Sequence, residues 1–359
     1  AIGGHLLIRR EWKKIFHWRW IIAAVLILVM ITPELYTLYY QFDSHPEKVV
    51  FGKTNVSGIR FFFWDSQFGR FFNTGPITGK GDPTFFLHTT LWAFLPWSLM
   101  LYAAIFLLIQ RGIKKQPVSE WYTLCGSMAT FLLFSLSRFQ LPHYLNIVFP
   151  FFAIITAQYL YFLKGPKPVN VWRIIQNIIT GLLILLGLLL YIFFNPPGRP
   201  FAIIFLILIC VLMILFLPRM VKTGVKESIV ARSVLAMVAV NLFLNLIFYP
   251  ELLKYQGGTT AAHYINKNLP GLPVVQLQPR FSYALEFDLN DTLITVPSLN
   301  DTSGIRKPYL LFIQKEDDLS SNTPLAEFPL FHVSRLNARF IDARQRQSQL
   351  QYFRIYKIE

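Results

Sequence analysis

The amino-acid sequence predicts a polytopic α-helical membrane protein of about seven spans with a C-terminal extracytoplasmic α/β domain. Three observations lead there. The chain is 54% hydrophobic with a mean hydropathy of +0.44, too apolar for a soluble domain of ordinary composition. Its apolar residues gather into runs that approach the ~20 residues needed to cross ~30 Å of hydrocarbon. Its formal net charge of +15 is unevenly spread: residues 251–359 hold twelve Lys/Arg against eleven Asp/Glu, so the excess lies in 1–250, between the apolar runs. That is a cytoplasmic-loop bias and not a nucleic-acid-binding stripe. Membrane lipids are therefore expected partners, and nucleic acid is not.

Residues 5–16 (HLLIRREWKKIF) alternate apolar and basic side chains at helical spacing, as an interfacial helix does. The first span covers about 14–32, with His17 and Arg19 snorkelling at its inner end. Thr32-Pro33-Glu34 then reads as a helix start, with Thr32 as cap and Pro33 at the first helical position, so a second, aromatic-rich helix is expected to follow. Glu34 there needs no role beyond complementing a helix dipole. Residues 42–84 form a long polar loop, of a length that is usually functional or disordered. Phe51, Phe61, Phe62, Phe63, Trp64, Phe68 and Phe71 argue against disorder. Spans two to seven are expected over about 85–109, 121–137, 145–163, 174–194, 201–217 and 233–249.

Orientation follows from charge. The segments 5–19, 111–115, 164–173 and 219–232 carry fifteen Lys/Arg, and the alternate loops carry seven (Lys48, Lys53, Arg60, Arg70, Lys80, Arg138 and Arg199). The bias places the 42–84 loop and the tail outside the cytoplasm. Residues 1–250 are thus a transmembrane domain and 251–359 an extracytoplasmic one, in a cytoplasmic (inner) membrane. In the tail, TTAAHYINKNL reads as a helix capped by Thr, and PVVQLQ, TLITVP, PYLLFIQK, LFHVSRL and QYFRIYKI read as strands. Cys125 and Cys210 both lie in apolar runs, so no disulfide framework is implied. Ala1 is not an initiator methionine and no signal-peptide pattern follows it. The expectation is a chain that begins within a longer protein or has been trimmed.

No metal-ligand spacing, P-loop, dinucleotide fingerprint or nucleophile elbow is present. What remains is a cluster at the outer ends of the spans: Asp65, Gln67, Arg70, Lys80, Asp82 and His88, then Arg138, Gln140, His143 and Tyr144. Cations and donors at headgroup level suit a lipid phosphate, although each one alone reads more readily as an interfacial anchor or a loop ion pair. We take Arg70, Arg138, His88, His143, Tyr144 and Gln67 as the lipid-phosphate-binding candidates.

GIRFFFWDSQFGRFF, PTFFLHTTLWAFLPW and FSLSRFQLPHYLNIVFPFFAI resemble the second half of GT-C type membrane glycosyltransferases. Bacterial aminoarabinose transferases and protein mannosyltransferase-like enzymes are the nearest in pattern. The resemblance is carried by Arg70-Phe71, Leu95-Pro96-Trp97 and Leu141-Pro142-His143-Tyr144, and it is best over about residues 5–164. It implies transfer of a sugar from a polyprenyl-phosphate donor to a lipid, glycan or protein acceptor on the extracytoplasmic face. It also implies a catalytic carboxylate in an N-terminal half outside this chain, so residues 1–359 alone are expected to be inactive. A Glu-His pair common in the family before Arg-Phe is Ser66-Gln67 here. Sugar transfer needs a base for the acceptor and positive charge for the leaving phosphate. The chain offers Arg70 and Arg138, with His88 and His143, for the second. For the first it offers only Asp65 and Asp82. No organic cofactor is implied, and a divalent metal is left open. A lipid or glycan transporter or flippase, or a non-catalytic membrane protein with an exported binding domain, are the alternatives. A transporter calls for mid-span ionisable groups and internal repeats, and neither is evident.

Overall fold

A computed structural model of the chain describes residues 1–50, 52–118, 120–197, 211, 215, 224–317 and 323–359. Arg199 and the expected sixth span, with Cys210 and apart from residues 211 and 215, lie outside the described residues. The chain divides into two compact units, one of residues 1–176 with 224–229, the other of 177–223 with 230–359.

Three described helical stretches are long and apolar enough to cross a membrane, Trp12–Asp43, Pro166–Phe194 and Val225–Leu253. They match the first, fifth and seventh expected spans. Ser98–Ile113, Tyr122–Leu136 and Phe149–Phe162 are apolar but only 16, 15 and 14 residues long. At ~1.5 Å per residue they reach ~21–24 Å, short of a full hydrocarbon crossing.

Four expectations for the helical part are corrected. The interfacial segment is two short helices, Ile2–Ile8 and Trp12–Ile15, broken where Arg10 takes a positive φ of 57°. The first of them packs on the Tyr122–Leu136 helix, with His5 buried and its ring stacked 3.5 Å from Tyr122. Thr32 caps nothing: the Arg19–Leu38 helix runs through Pro33, and the Thr32 hydroxyl donates back to the Leu28 carbonyl at 2.8 Å. No second aromatic helix begins there. The second expected span is two helices, Phe85–Ala93 and Ser98–Ile113, separated by a turn containing the cis Leu95-Pro96 bond. Pro96 lacks the N–H that a continuous helix would use. The break lets Phe86 on the short helix and Leu101 and Ala104 on the longer one join one core with Leu145, Val148 and Phe152.

In the second unit the strands are β1 (Val274–Leu277), β2 (Leu293–Val296), β3 (Tyr309–Gln314), β4 (Ala326–Leu330) and β5 (Gln351–Ile358). They form one sheet in the order β2-β1-β3-β5-β4. β1 is parallel to β2 and β3, and β5 is antiparallel to β3 and β4. The inner strands β1 and β3 are apolar runs buried on both faces, as covered parallel strands are. The Gly257–Asn268 helix contributes Ala261, Ala262 and Ile265 to one face, while Val275, Leu311 and Tyr356 pack on the other.

Two expectations for the tail are corrected. The strand placed at LFHVSRL lies earlier, at Ala326–Leu330, and Val333–Arg335 is a 3-10 turn. Phe331 leaves the sheet because its amide donates to the Tyr255 carbonyl at 2.9 Å and its ring stacks on Phe340 at 3.7 Å. Pro329 is tolerated because β4 is an edge strand. The helix starts at Gly257 without a threonine cap, and the Thr260 hydroxyl donates back to the Gln256 carbonyl at 3.4 Å.

One buried cation organises this unit. The Arg346 guanidinium donates to the carbonyls of Phe340 at 3.0 Å, Phe194 at 2.5 Å and Ile341 at 3.3 Å, and to the Tyr255 hydroxyl at 3.2 Å. It lies 4.2 Å from the Phe194 ring centroid. Phe194 is the last residue of a helix, where a cation complements the dipole. Replacing Arg346 with Ala should lower unfolding stability by about 2–4 kcal/mol, because buried carbonyls lose their donors. Arg346→Lys should recover little of it, since an ammonium lacks the planar fork. Thermal unfolding in detergent checks this, and unchanged midpoints for both variants would contradict it.

Candidate functional site

Residues 57–84 fold into short helices tied together by side-chain caps. Ser57 accepts the Arg60 amide at 3.1 Å, and Asp43 accepts the Gly58 amide at 2.9 Å. Phe61–Asp65 forms a wide turn, and the Phe68–Phe72 helix carries Arg70. That helix ends at Asn73, in the left-handed conformation with φ of 59°. Asparagine takes this conformation more readily than most residues. Its side chain closes the next loop, donating to the Gly79 carbonyl at 2.6 Å and accepting the Gly79 amide at 3.0 Å.

The loop is then stitched to the end of the Tyr122–Leu136 helix. The Gly81 amide donates to the Arg138 carbonyl at 2.7 Å, and the Arg138 amide donates to the Phe71 carbonyl at 3.1 Å. The Asp82 amide donates to Gln140 Oε1 at 2.8 Å, while Gln140 Nε2 donates to the Ser135 carbonyl at 3.1 Å. A Cβ on Gly81 would stand 2.6 Å from the Ser137 carbonyl oxygen, so the approach requires glycine.

The stitching leaves a groove of 630 Å³ between the loop and the helix end, with Gln67, Arg70, Phe134, Phe139 and Tyr144 among its walls. The Arg70 guanidinium lies 5.5 Å from the Phe139 ring centroid. Its Nε is buried and has no hydrogen-bond partner among the described residues. A buried donor left so costs about 1–3 kcal/mol, and such a group is uncommon enough to require a reason.

The structure thus brings Gln67, Arg70 and Tyr144 to one groove. It does not bring the remaining candidates there. Arg138 is exposed and acts in the site through its backbone. His88 is exposed, with its ring edge-on to Phe85, and His143 is exposed, edge-on to Tyr144. The two carboxylates have partners of their own. Asp65 stands 3.7 Å from Arg60 Nε. Asp82 accepts both the amide and the hydroxyl of Thr84 at 2.8 Å. These bonds, with the nearby His88, hold the Asp82 carboxyl below the usual carboxylate range, which weakens it as a base. Among the described residues no three His, Cys, Asp or Glu side chains gather as a metal site. Sequence reasoning missed Asn73, Phe139 and the glycines at 79 and 81. The Asn-Thr-Gly-Pro run at 73–76 and the Gly-Lys-Gly run at 79–81 were the available signals of tight turns.

No protein-family model matches the chain. No curated protein matches it either. Among solved structures, ArnT from Cupriavidus metallidurans bound to undecaprenyl phosphate aligns over 99% of this chain with a TM-score of 0.63 and 16% identity. The apo state of the same protein aligns over 99% with a TM-score of 0.60 and 16% identity. The chain shares the ArnT fold. It spans 63–64% of the length of those ArnT chains. At this identity the likeness speaks to the fold, and the ArnT structures carry it across both compact units described above.

The Asp82 geometry generates a prediction. Its carboxylate form is favoured by the fold, so its contribution is fully present above the ordinary aspartate pKa of ~3.9. That contribution is lost as pH falls through the lowered value. Hydrogen-exchange protection of the Thr84 amide, corrected for intrinsic rate, should fall in that acid window. Asp82→Ala should lower the protection already at neutral pH, and Asp82→Asn, which keeps an acceptor oxygen, should largely retain it. Unaltered protection in Asp82→Ala would contradict the assignment.

Proposed function

We propose that this chain is part of an integral-membrane glycosyltransferase of the GT-C type. In this reading it moves a sugar from a polyprenyl-phosphate donor to a lipid, glycan or protein acceptor on the extracytoplasmic face. Residues 1–250 form the membrane domain, of about seven spans in a cytoplasmic membrane, and 251–359 lie outside it. The single observation that carries the reading is the orphaned Arg70 Nε in a groove walled mainly by aromatic and aliphatic side chains, with Ser66, Gln67 and Ser137 beside them. A lipid phosphate matches both halves: its oxygens accept from the guanidinium, and its isoprenoid chain lies against Phe134, Phe139 and their neighbours. The ArnT fold supports the same reading, one of the aligned ArnT structures being bound to undecaprenyl phosphate. So does the basic bias of the segments assigned to the cytoplasm.

The chemistry divides accordingly. Arg70 neutralises the phosphate that departs with its electron pair when the sugar–oxygen bond breaks. Tyr144 and Gln67 add hydrogen-bonding groups to the same groove. The acceptor's proton needs a base; the Thr84 hydrogen bonds leave Asp82 poorly suited to that step, and Asp65 stands beside Arg60. The base therefore comes from outside residues 1–359, which should bind the lipid without turning it over.

Titration of undecaprenyl phosphate against the chain in phosphatidylcholine nanodiscs tests this. Arg70→Lys should weaken binding roughly ten- to a hundred-fold, the range of a desolvated charge-assisted contact with fork geometry. Arg138→Lys should change it less, because that side chain is exposed. Wild-type affinity in Arg70→Lys would overturn the assignment of the groove, and turnover of a polyprenyl-phosphate sugar by residues 1–359 alone would overturn the placement of the base outside them.

A further inference from the structure

The α/β part of the second unit has a crevice with no role in the reading above. In the order β2-β1-β3 the strand succession reverses at β1: the chain leaves β1 for β2 on one side and then crosses to β3 on the other. In open sheets with parallel strands, the crevice beyond the carboxyl ends at such a reversal is where ligands are held. The segments that follow β1, β3 and β4 converge there, together with the start of β5 and the amino end of the Gly257–Asn268 helix. They enclose a cavity of 720 Å³ lined by, among others, Gln256, Arg280, Tyr283, Gln314, Glu316 and His332.

The lining selects a class of ligand. Arg280 and Glu316 face each other at 3.2 Å, one from each side of the reversal, and cancel in charge. Apart from His332 and the Tyr283 phenol they are the only ionisable side chains in the lining among the described residues, so the site is not built for an anion. Three carboxamides, Gln256, Gln314 and Gln351, supply donors and acceptors to the lining. Phe281 and Tyr283 stand edge to face at 4.4 Å, and Tyr283 is 74% exposed. Behind them the buried Gln276 fixes the local backbone. Its Oε1 accepts the Ser282 amide at 3.0 Å, and its Nε2 donates to the Thr295 hydroxyl at 3.2 Å. Exposed aromatic faces beside planar groups that both donate and accept match the two sides of a sugar ring. Its C–H face packs on an aromatic ring, and its hydroxyls each need a donor and an acceptor.

We propose that this crevice binds a neutral saccharide. The proposal stands on the crevice alone and does not require the transfer reading. No bond is made or broken there; the role is to hold a glycan.

The test uses the full chain in phosphatidylcholine nanodiscs, which contain no sugar headgroup. Saturation-transfer NMR is recorded with tetrasaccharides of glucose, mannose and N-acetylglucosamine, and inorganic phosphate is titrated as the anionic comparison. At least one tetrasaccharide should show transfer, and phosphate should not displace it. Tyr283→Ala and Gln314→Ala should each weaken that binding by roughly ten-fold, the scale of one ring contact or one hydrogen bond. Both positions lie outside the packed core clusters. Phe287→Ala, at a residue 89% exposed outside the crevice lining, serves as the surface control and should bind like the wild type. Three outcomes would overturn the proposal: no transfer from any of the three sugars, binding unchanged in both crevice variants, or displacement by phosphate. Because undecaprenyl phosphate affinity is read in the Arg70 groove, loss of one result leaves the other standing.

Discussion

The hydrogen bonds between the 79–82 loop and the 137–140 turn are the constraint on which the candidate site rests. They join segments about sixty residues apart in sequence, and they are made mostly by backbone atoms with Gln140 as the bridge. With the Arg138 amide donating to the Phe71 carbonyl, they hold the Phe68–Phe72 helix against the end of the Tyr122–Leu136 helix and give Arg70 its wall. The clasp accounts for the residue types at its contact points. Glycine stands where a Cβ would strike a carbonyl, and asparagine stands where the chain turns through a left-handed conformation. The cost of holding Arg70 Nε dry is carried by this arrangement, and under the proposed function a phosphate oxygen would be the partner that removes it.

The second unit depends on a different kind of contact. Arg346 lies buried with carbonyls and aromatic rings around it, closing the end of the Pro166–Phe194 helix onto the Ala338–Ile341 turn. The Phe194, Phe248, Leu252, Phe331 and Phe340 cluster packs beside it. The sheet then needs only its own apolar faces, and its carboxyl-end crevice is free to carry polar groups.

The parts of this fold that were legible in sequence are those set by local pattern. β1, β2, β3 and β5 fall within the runs of β-branched and aromatic residues that predict them, and the long spans follow from uninterrupted apolar length. Other parts were hidden because the deciding atoms are distant or are backbone. Pro96 sits in a run that is apolar on both sides, so hydropathy reads one span where two helices stand. Thr32-Pro33 has the pattern of a helix start, yet the threonine hydroxyl serves the preceding turn instead. Arg346 has no carboxylate partner among the described residues to mark it, since its main acceptors are carbonyls of residues 194, 340 and 341. Arg70 and Arg138 look alike as basic residues in aromatic surroundings. Only the clasp separates them, placing one side chain in the groove and leaving the other exposed while its backbone does the tying.

The central claim is that the Arg70 groove receives a polyprenyl phosphate. Photo-crosslinking tests it most directly, using undecaprenyl phosphate with a diazirine on the isoprene unit next to the phosphate. The reaction would be run with the chain in nanodiscs and the labelled peptides mapped by mass spectrometry. The account predicts labels within residues 66–72, 133–139 and 144–147, competed away by excess unlabelled lipid. Labels confined to other helices, with none on these three segments, would contradict it.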